Sequence, residues 1–156
     1  MTQSVESLVS PQSLEQFLHQ QIPLSRAMAV TALDVTEESV QLSAPLQPNL
    51  NHRATVFGGS AAAVALLAAW SLLHVRLRAP FPSSTIVIQR QSMSYHRPIL
   101  GTFVARAVLA RPADWPRFLR LLTRRGRARI TVASTLHYDG KAVGFFTGDF
   151  VAFGGQ

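Results

Sequence analysis

The 156-residue chain has no cysteine, which excludes a disulfide scaffold, a cysteine nucleophile and any thiolate metal site. Charge is sparse: Asp, Glu, Lys and Arg make up 15% of the residues, against the usual quarter. With 47% hydrophobic residues, this excludes a disordered chain, which needs low hydrophobicity and high charge. Acids are scarcest, and none occurs between Glu38 and Asp114. The five histidines, at 19, 52, 74, 96 and 137, show no metal-ligand spacing, so no metal is expected. There is no Walker loop and no dinucleotide fingerprint. The start, Met1-Thr2-Gln3-Ser4-Val5-Glu6, has neither a basic nor an apolar leader segment, so a cytoplasmic location is expected. No repeat, biased tract or linker interrupts the chain. One domain over 1–156 is therefore expected, with 1–12 a loose N-terminus. This length can bury a core without a metal or a disulfide.

Fifteen basic residues against eight acidic ones give a net charge of +7, and Lys141 is the only lysine. Such a chain favours anionic partners. Arg117, Arg120, Arg124, Arg125, Arg127 and Arg129 cluster, and on a helix 117, 120 and 124 form one stripe. That stripe is either a solvated face or a receptor for phosphates or an acidic protein. A nucleic-acid or protein-interaction module is the competing class, but only Trp115 and Phe118 supply aromatics nearby.

Periodicity predicts the elements. Leu14, Phe17, Leu18 and Ile22 share a helical face, with Ser13 as N-cap, Gln16 completing a capping box and Pro23 bounding the helix. Ala27–Thr36 and Val40–Ala44 alternate and predict a hairpin turning at Glu37-Glu38. Residues 45–52 carry two prolines and predict an irregular loop. A long helix runs from Gly58 to about Leu77, closed by Pro80 and Pro82. Strands follow at Thr85–Arg97, Thr102–Ala110, Arg127–Tyr138 and Lys141–Phe153, with a short helix over Trp115–Arg125 and a turn at Asp139-Gly140.

Val56–Val75 contains no acid, lysine or arginine and is long enough to span a bilayer. It is also alanine-rich and opens Phe-Gly-Gly-Ser, and a helix apolar on all sides equally suits a wrapped core. The clustered strands need such a helix to cover them, so no membrane span is expected. The predicted class is α+β, an antiparallel sheet of about six strands curled around one long apolar helix. The Thr85–Arg97 strand, roughly 40 Å at ~3.3 Å per residue, would be a long open edge, which predicts a homodimer or a higher homo-oligomer.

Two stretches resemble a known family. Asn51-His52-Arg53-Ala54-Thr55-Val56-Phe57-Gly58-Gly59-Ser60 resembles the loop that opens the central helix of hotdog-fold thioesterases. Tyr95-His96-Arg97-Pro98 through Gly101 and on to Ala107 resembles their strand-Arg-Pro-x-x-Gly-strand segment. Phe-Gly-Gly-Ser with Trp70 looks most like the thioesterase-like domain at the C-terminus of YiiD-type proteins. The resemblance implies a hotdog fold and hydrolysis of an acyl-CoA or acyl-carrier-protein thioester, with coenzyme A entering only as part of the substrate. The chain departs from the pattern at Ala54, where glycine is usual, at Phe57, where histidine is usual, and at Leu66, where a helix carboxylate is usual. Trp115–Arg125 looks like an insertion relative to a minimal hotdog.

At such a site, Gly58 and Gly59 let the backbone approach a ligand, and the free N–H groups of a helix start stabilise a developing oxyanion. Asn51 would hold the water or the carbonyl, with His52 the candidate base. Phe57, Ser60 and Arg97 would line the substrate, with Arg120 and Arg124 on coenzyme A phosphates. Alternatively, the glycines only make room for packing and Asn51 caps a turn. A non-catalytic acyl-CoA-binding protein is the rival function, because Leu66 replaces the usual carboxylate.

Overall fold

The computed structural model describes residues 9–154. The elements are α1 (Pro11–Gln21), α2 (Pro23–Ala27), β1 (Thr31–Val35), β2 (Val40–Ala44), α3 (Gly58–Leu77), β3 (Thr85–Tyr95), β4 (Phe103–Leu109), α4 (Trp115–Arg125), β5 (Arg127–Tyr138) and β6 (Lys141–Phe153). The strands form one antiparallel sheet in the order β1-β2-β4-β5-β6-β3. The core gathers between this sheet and α3, around Leu42, Leu72, Phe103, Leu136, Phe146 and Phe150.

Alanine explains why α3 can lie so close to the sheet. Ala61, Ala65, Ala68 and Ala69 are buried and keep the helix thin where the strands pass. Ten of its twenty residues are buried, so the segment with the composition of a membrane span is here the core helix of the sheet. Ser134 on β5 ties the two layers, donating its hydroxyl to the Ala65 carbonyl at 2.8 Å.

Four local expectations need correction. The first helix starts earlier than expected: Ser10 is the N-cap and Ser13 stands at the third helical position. Each serine hydroxyl accepts from the other's backbone N–H, so serine does the work assigned to Gln16. Residues 9–12 are thus ordered, while 1–8 lie outside the described residues. The first strand begins at Thr31, because Pro23 starts a second helix whose first-turn position suits proline and Ala29 turns the chain at φ 56°. The proline-rich loop contains a 3-10 turn at Gln47–Asn49. Finally, β3 stops at Tyr95, where His96 and Arg97 both donate to the Val143 carbonyl and leave the ladder.

Candidate active site at the start of the central helix

The approach to α3 is a tight loop. Leu50 and Val56 form an isolated antiparallel bridge, and Asn51 closes the turn between them. The Asn51 side chain accepts from Arg53 and Thr55 N–H at 2.8 and 3.1 Å and donates to Thr55 Oγ1 at 2.7 Å. Its Oδ1 is therefore taken up by its own turn, while Nδ2 uses one of its two N–H groups there. Ala54 takes the left-handed conformation, φ 61°, where glycine is more comfortable. His52 is exposed on the same turn.

Two further bonds place the helix start. Val56 donates to the Ile99 carbonyl at 2.9 Å, and Phe57 to the Asn49 carbonyl at 2.7 Å. Phe57 is the N-cap and supplies no side-chain cap. The first i→i−4 bond runs from Ala61 N–H to the Phe57 carbonyl, so the N–H groups of Gly58, Gly59 and Ser60 precede the helical ladder.

Two shallow concavities flank this end. One, of about 290 Å³, is lined by Asn49, Phe57, Gly59 and Ser60 with Leu24 and Met28. A Cβ on Gly59 would run into the Phe57 ring, so only glycine lets that ring lie over the helix start. The other, of about 280 Å³, is lined by Val56, Tyr95, Arg97 and Ile99. Tyr95 donates its hydroxyl to the Gly58 carbonyl at 2.8 Å and ties β3 to the same point.

Asn49 is the residue that motif reading passed over. It is 2% exposed, and its Nδ2 donates to the Met28 and Pro45 carbonyls at 3.0 and 2.8 Å. Its Oδ1 is buried with no hydrogen-bond partner among the described residues. A buried acceptor normally finds a donor, and Asn49 is among the residues that line the concavity holding Gly59. The spacing Asn49-x-Asn51 was visible, but nothing in the sequence told which asparagine the turn would consume.

The family model described as "Putative thioesterase (yiiD_Cterm)" matches residues 11–154. The chain belongs to this family. Solved structures agree on the hotdog fold. A protein of unknown function from Chlorobaculum tepidum is 24% identical, with a TM-score of 0.86 over 93% of this chain and 94% of that one. A "putative thioesterase" from Shewanella oneidensis is 25% identical, with a TM-score of 0.77 over 92% and 96%. A thioesterase from Haemophilus influenzae is 12% identical, with a TM-score of 0.76 over 95% and 93%.

Against this yiiD C-terminal thioesterase frame, the expected site residues separate. Phe57, Gly58, Gly59, Ser60 and Arg97 surround the helix start. Arg120 and Arg124 stand on α4, which meets the last turn of α3, where the Arg76 guanidinium lies 4.2 Å over the Trp115 ring. Arg76 is about 25 Å along the helix from Gly59 at ~1.5 Å per residue, so α4 does not converge with the helix start. Leu66, in the place of the usual carboxylate, packs against the core. The remaining acid in the late strands, Asp149, accepts from Thr131 Oγ1 at 2.6 Å. It alternates with buried Gly148 and Phe150 and so lies on the sheet face away from α3. Among the described residues, no group of three His, Cys, Asp or Glu is placed to hold a metal ion.

Proposed function

We propose that this protein hydrolyses an acyl thioester of coenzyme A or of an acyl-carrier protein, with the thioester carbonyl seated at the start of α3. The observation that carries the reading is the buried, unpartnered Asn49 Oδ1 beside an uncapped helix N-terminus in a thioesterase family. In the proposed reaction, water adds to the thioester carbon, the C–S bond breaks, and the products are a carboxylic acid and a free thiol. The N–H groups of Gly59 and Ser60 receive the developing oxyanion, and one such donor is worth about 3 kcal/mol of barrier. Asn49 Oδ1 accepts a hydrogen bond from the attacking water and aims its lone pair. This role passes from Asn51 to Asn49, because the Asn51 Oδ1 already accepts two backbone N–H groups.

No carboxylate stands at Leu66, so the site polarises the carbonyl better than it deprotonates water. Hydrolysis therefore rises with pH as hydroxide, or a weak base such as His52, replaces the missing group. No cofactor is needed beyond the coenzyme A carried by the substrate. A second reading, acyl-thioester binding without hydrolysis, is favoured by the same leucine. The proposal includes a cytoplasmic homodimer joined through β3, whose outer edge has no partner among the described residues and whose Val87, Ile88 and Tyr95 are exposed.

Thiol release from a panel of acyl-CoAs at rising pH separates the two readings. We expect release by the wild type, with kcat reduced on the order of tenfold or more in Asn49→Ala and changed far less in Asn51→Ala. Binding without thiol release would replace the enzyme by the acyl-binding protein. Full activity in a folded Asn49→Ala variant would move the site elsewhere.

A further inference from the structure

A concavity of about 530 Å³ lies not at the helix start but beside the C-terminal half of α3, between α1 and the α3–β3 connection. One wall is a set of near-parallel rings. Phe17 and His74 centroids lie 4.5 Å apart, Trp70 and His74 5.1 Å, and Phe17 and Trp70 6.2 Å, with interplanar angles of 15°, 10° and 7°. Trp70 is locked in place by its indole N–H, which donates to the Ile86 carbonyl at 3.0 Å. Among the described residues the lining includes no aspartate or glutamate, and Arg78 is its one permanent charge. Burial, followed by the charge of Arg78, lowers the His74 pKa from its ordinary imidazole value.

The lining chooses the occupant. Gln21, Ser84 and Thr85 offer hydrogen bonds at the same concavity. An alkyl chain would desolvate them without a partner. A flat heteroaromatic ring uses both features, its face on the aromatic wall and its polar edge on those side chains. An anionic group on the same ligand meets Arg78, whose guanidinium suits phosphate geometry. The three rings stack on one another, so a flat base extends the stack instead of lying across all of them. We propose that this concavity binds an anionic purine nucleotide, with the base extending the Phe17–His74–Trp70 stack and a phosphate on Arg78.

Free nucleotides and the adenosine end of coenzyme A share this chemistry, and titration calorimetry with three probes distinguishes them. Adenosine 3′,5′-bisphosphate is expected to bind the wild type with a Kd of about 0.1 mM or tighter. Arg78→Gln, at an exposed position, weakens it by about tenfold, the loss of one charge-assisted contact, and Phe17→Ala does likewise. An equal loss for coenzyme A in Arg78→Gln identifies coenzyme A as the source. Unchanged coenzyme A binding alongside weakened bisphosphate binding identifies a free nucleotide. The proposal is overturned if the bisphosphate does not bind, if Arg78→Gln leaves its affinity unchanged, or if octanoate binds in its place. The readout is heat of binding and not thiol release, so it stands or falls separately from the hydrolysis reading.

Discussion

Asn49 and Asn51 lie two residues apart and have opposite fates. Asn51 faces its own turn and closes it with three hydrogen bonds, whereas Asn49 is drawn under α2 by the Met28 and Pro45 carbonyls and keeps one oxygen free. The same turn carries a measurable cost. Ala54 sits at φ 61°, a conformation that costs an L-residue about 1–2 kcal/mol, while glycine gives back about 0.5–1 kcal/mol through a freer unfolded chain. Ala54→Gly should therefore raise stability by about 0.5–1 kcal/mol, read as a higher urea midpoint with an unchanged slope. A lower midpoint would mean that the turn is not held as described.

At the scale of elements, α4 shows how a charge cluster can be exposed by packing alone. Phe118 and Leu122 bury one face against β5, Gly126 ends the helix in the left-handed conformation, and the arginines are left in water. Arg120→Gln with Arg124→Gln should leave KM for an acyl-CoA within about twofold, because lost uniform binding is what raises KM and these side chains stand away from the helix start. A KM that rises and follows salt would instead bring α4 into the site. The α1–α3 contact carries a pH signature. His74 is held below its ordinary value by burial and then by Arg78, so the unfolded chain takes up this proton at a higher pH than the folded one. The stability it contributes is complete above about pH 6.5 and is lost as pH falls towards the lowered folded value. Denaturation midpoints measured between about pH 5 and 8 should fall on the acid side, and His74→Phe, which keeps a ring in the stack, should flatten that slope. An unaltered slope would assign the acid sensitivity to other groups.

For the whole molecule the decisive feature is the end strand. Only Ile86 of the eleven residues of β3 is buried, and one edge pairs β6 while the other has no partner among the described residues. A free edge of this length, with Val87 and Ile88 exposed, is a template for a second copy. Light scattering at micromolar concentration should give a dimer mass, and Gln91→Pro, which removes a backbone donor in mid-strand, should shift it towards the monomer. A wild-type monomer would refute the β3 interface.

Much of the architecture was legible because it is local or periodic. The run of apolar residues bounded by Gly58 and Pro80 specifies one long helix, and alternation with a turn at Asp139-Gly140 specifies β5 and β6 to the residue. Order in the chain, strands then helix then strands, specifies an antiparallel sheet around that helix. The candidate site was legible as a stretch, Asn51 to Ser60, but not as a set of roles, and Asn49 lay just outside it. Which asparagine keeps a free oxygen depends on Met28 and Pro45, one of them 21 residues away. Where Arg120 and Arg124 stand depends on Trp115 docking beneath Arg76, and the ring stack of Phe17, Trp70 and His74 depends on α1 crossing α3. Sequence patterns carry the period of an element and the chemistry of its residues. Which side chains meet, and which polar atoms are left unpaired, is decided only when distant elements pack.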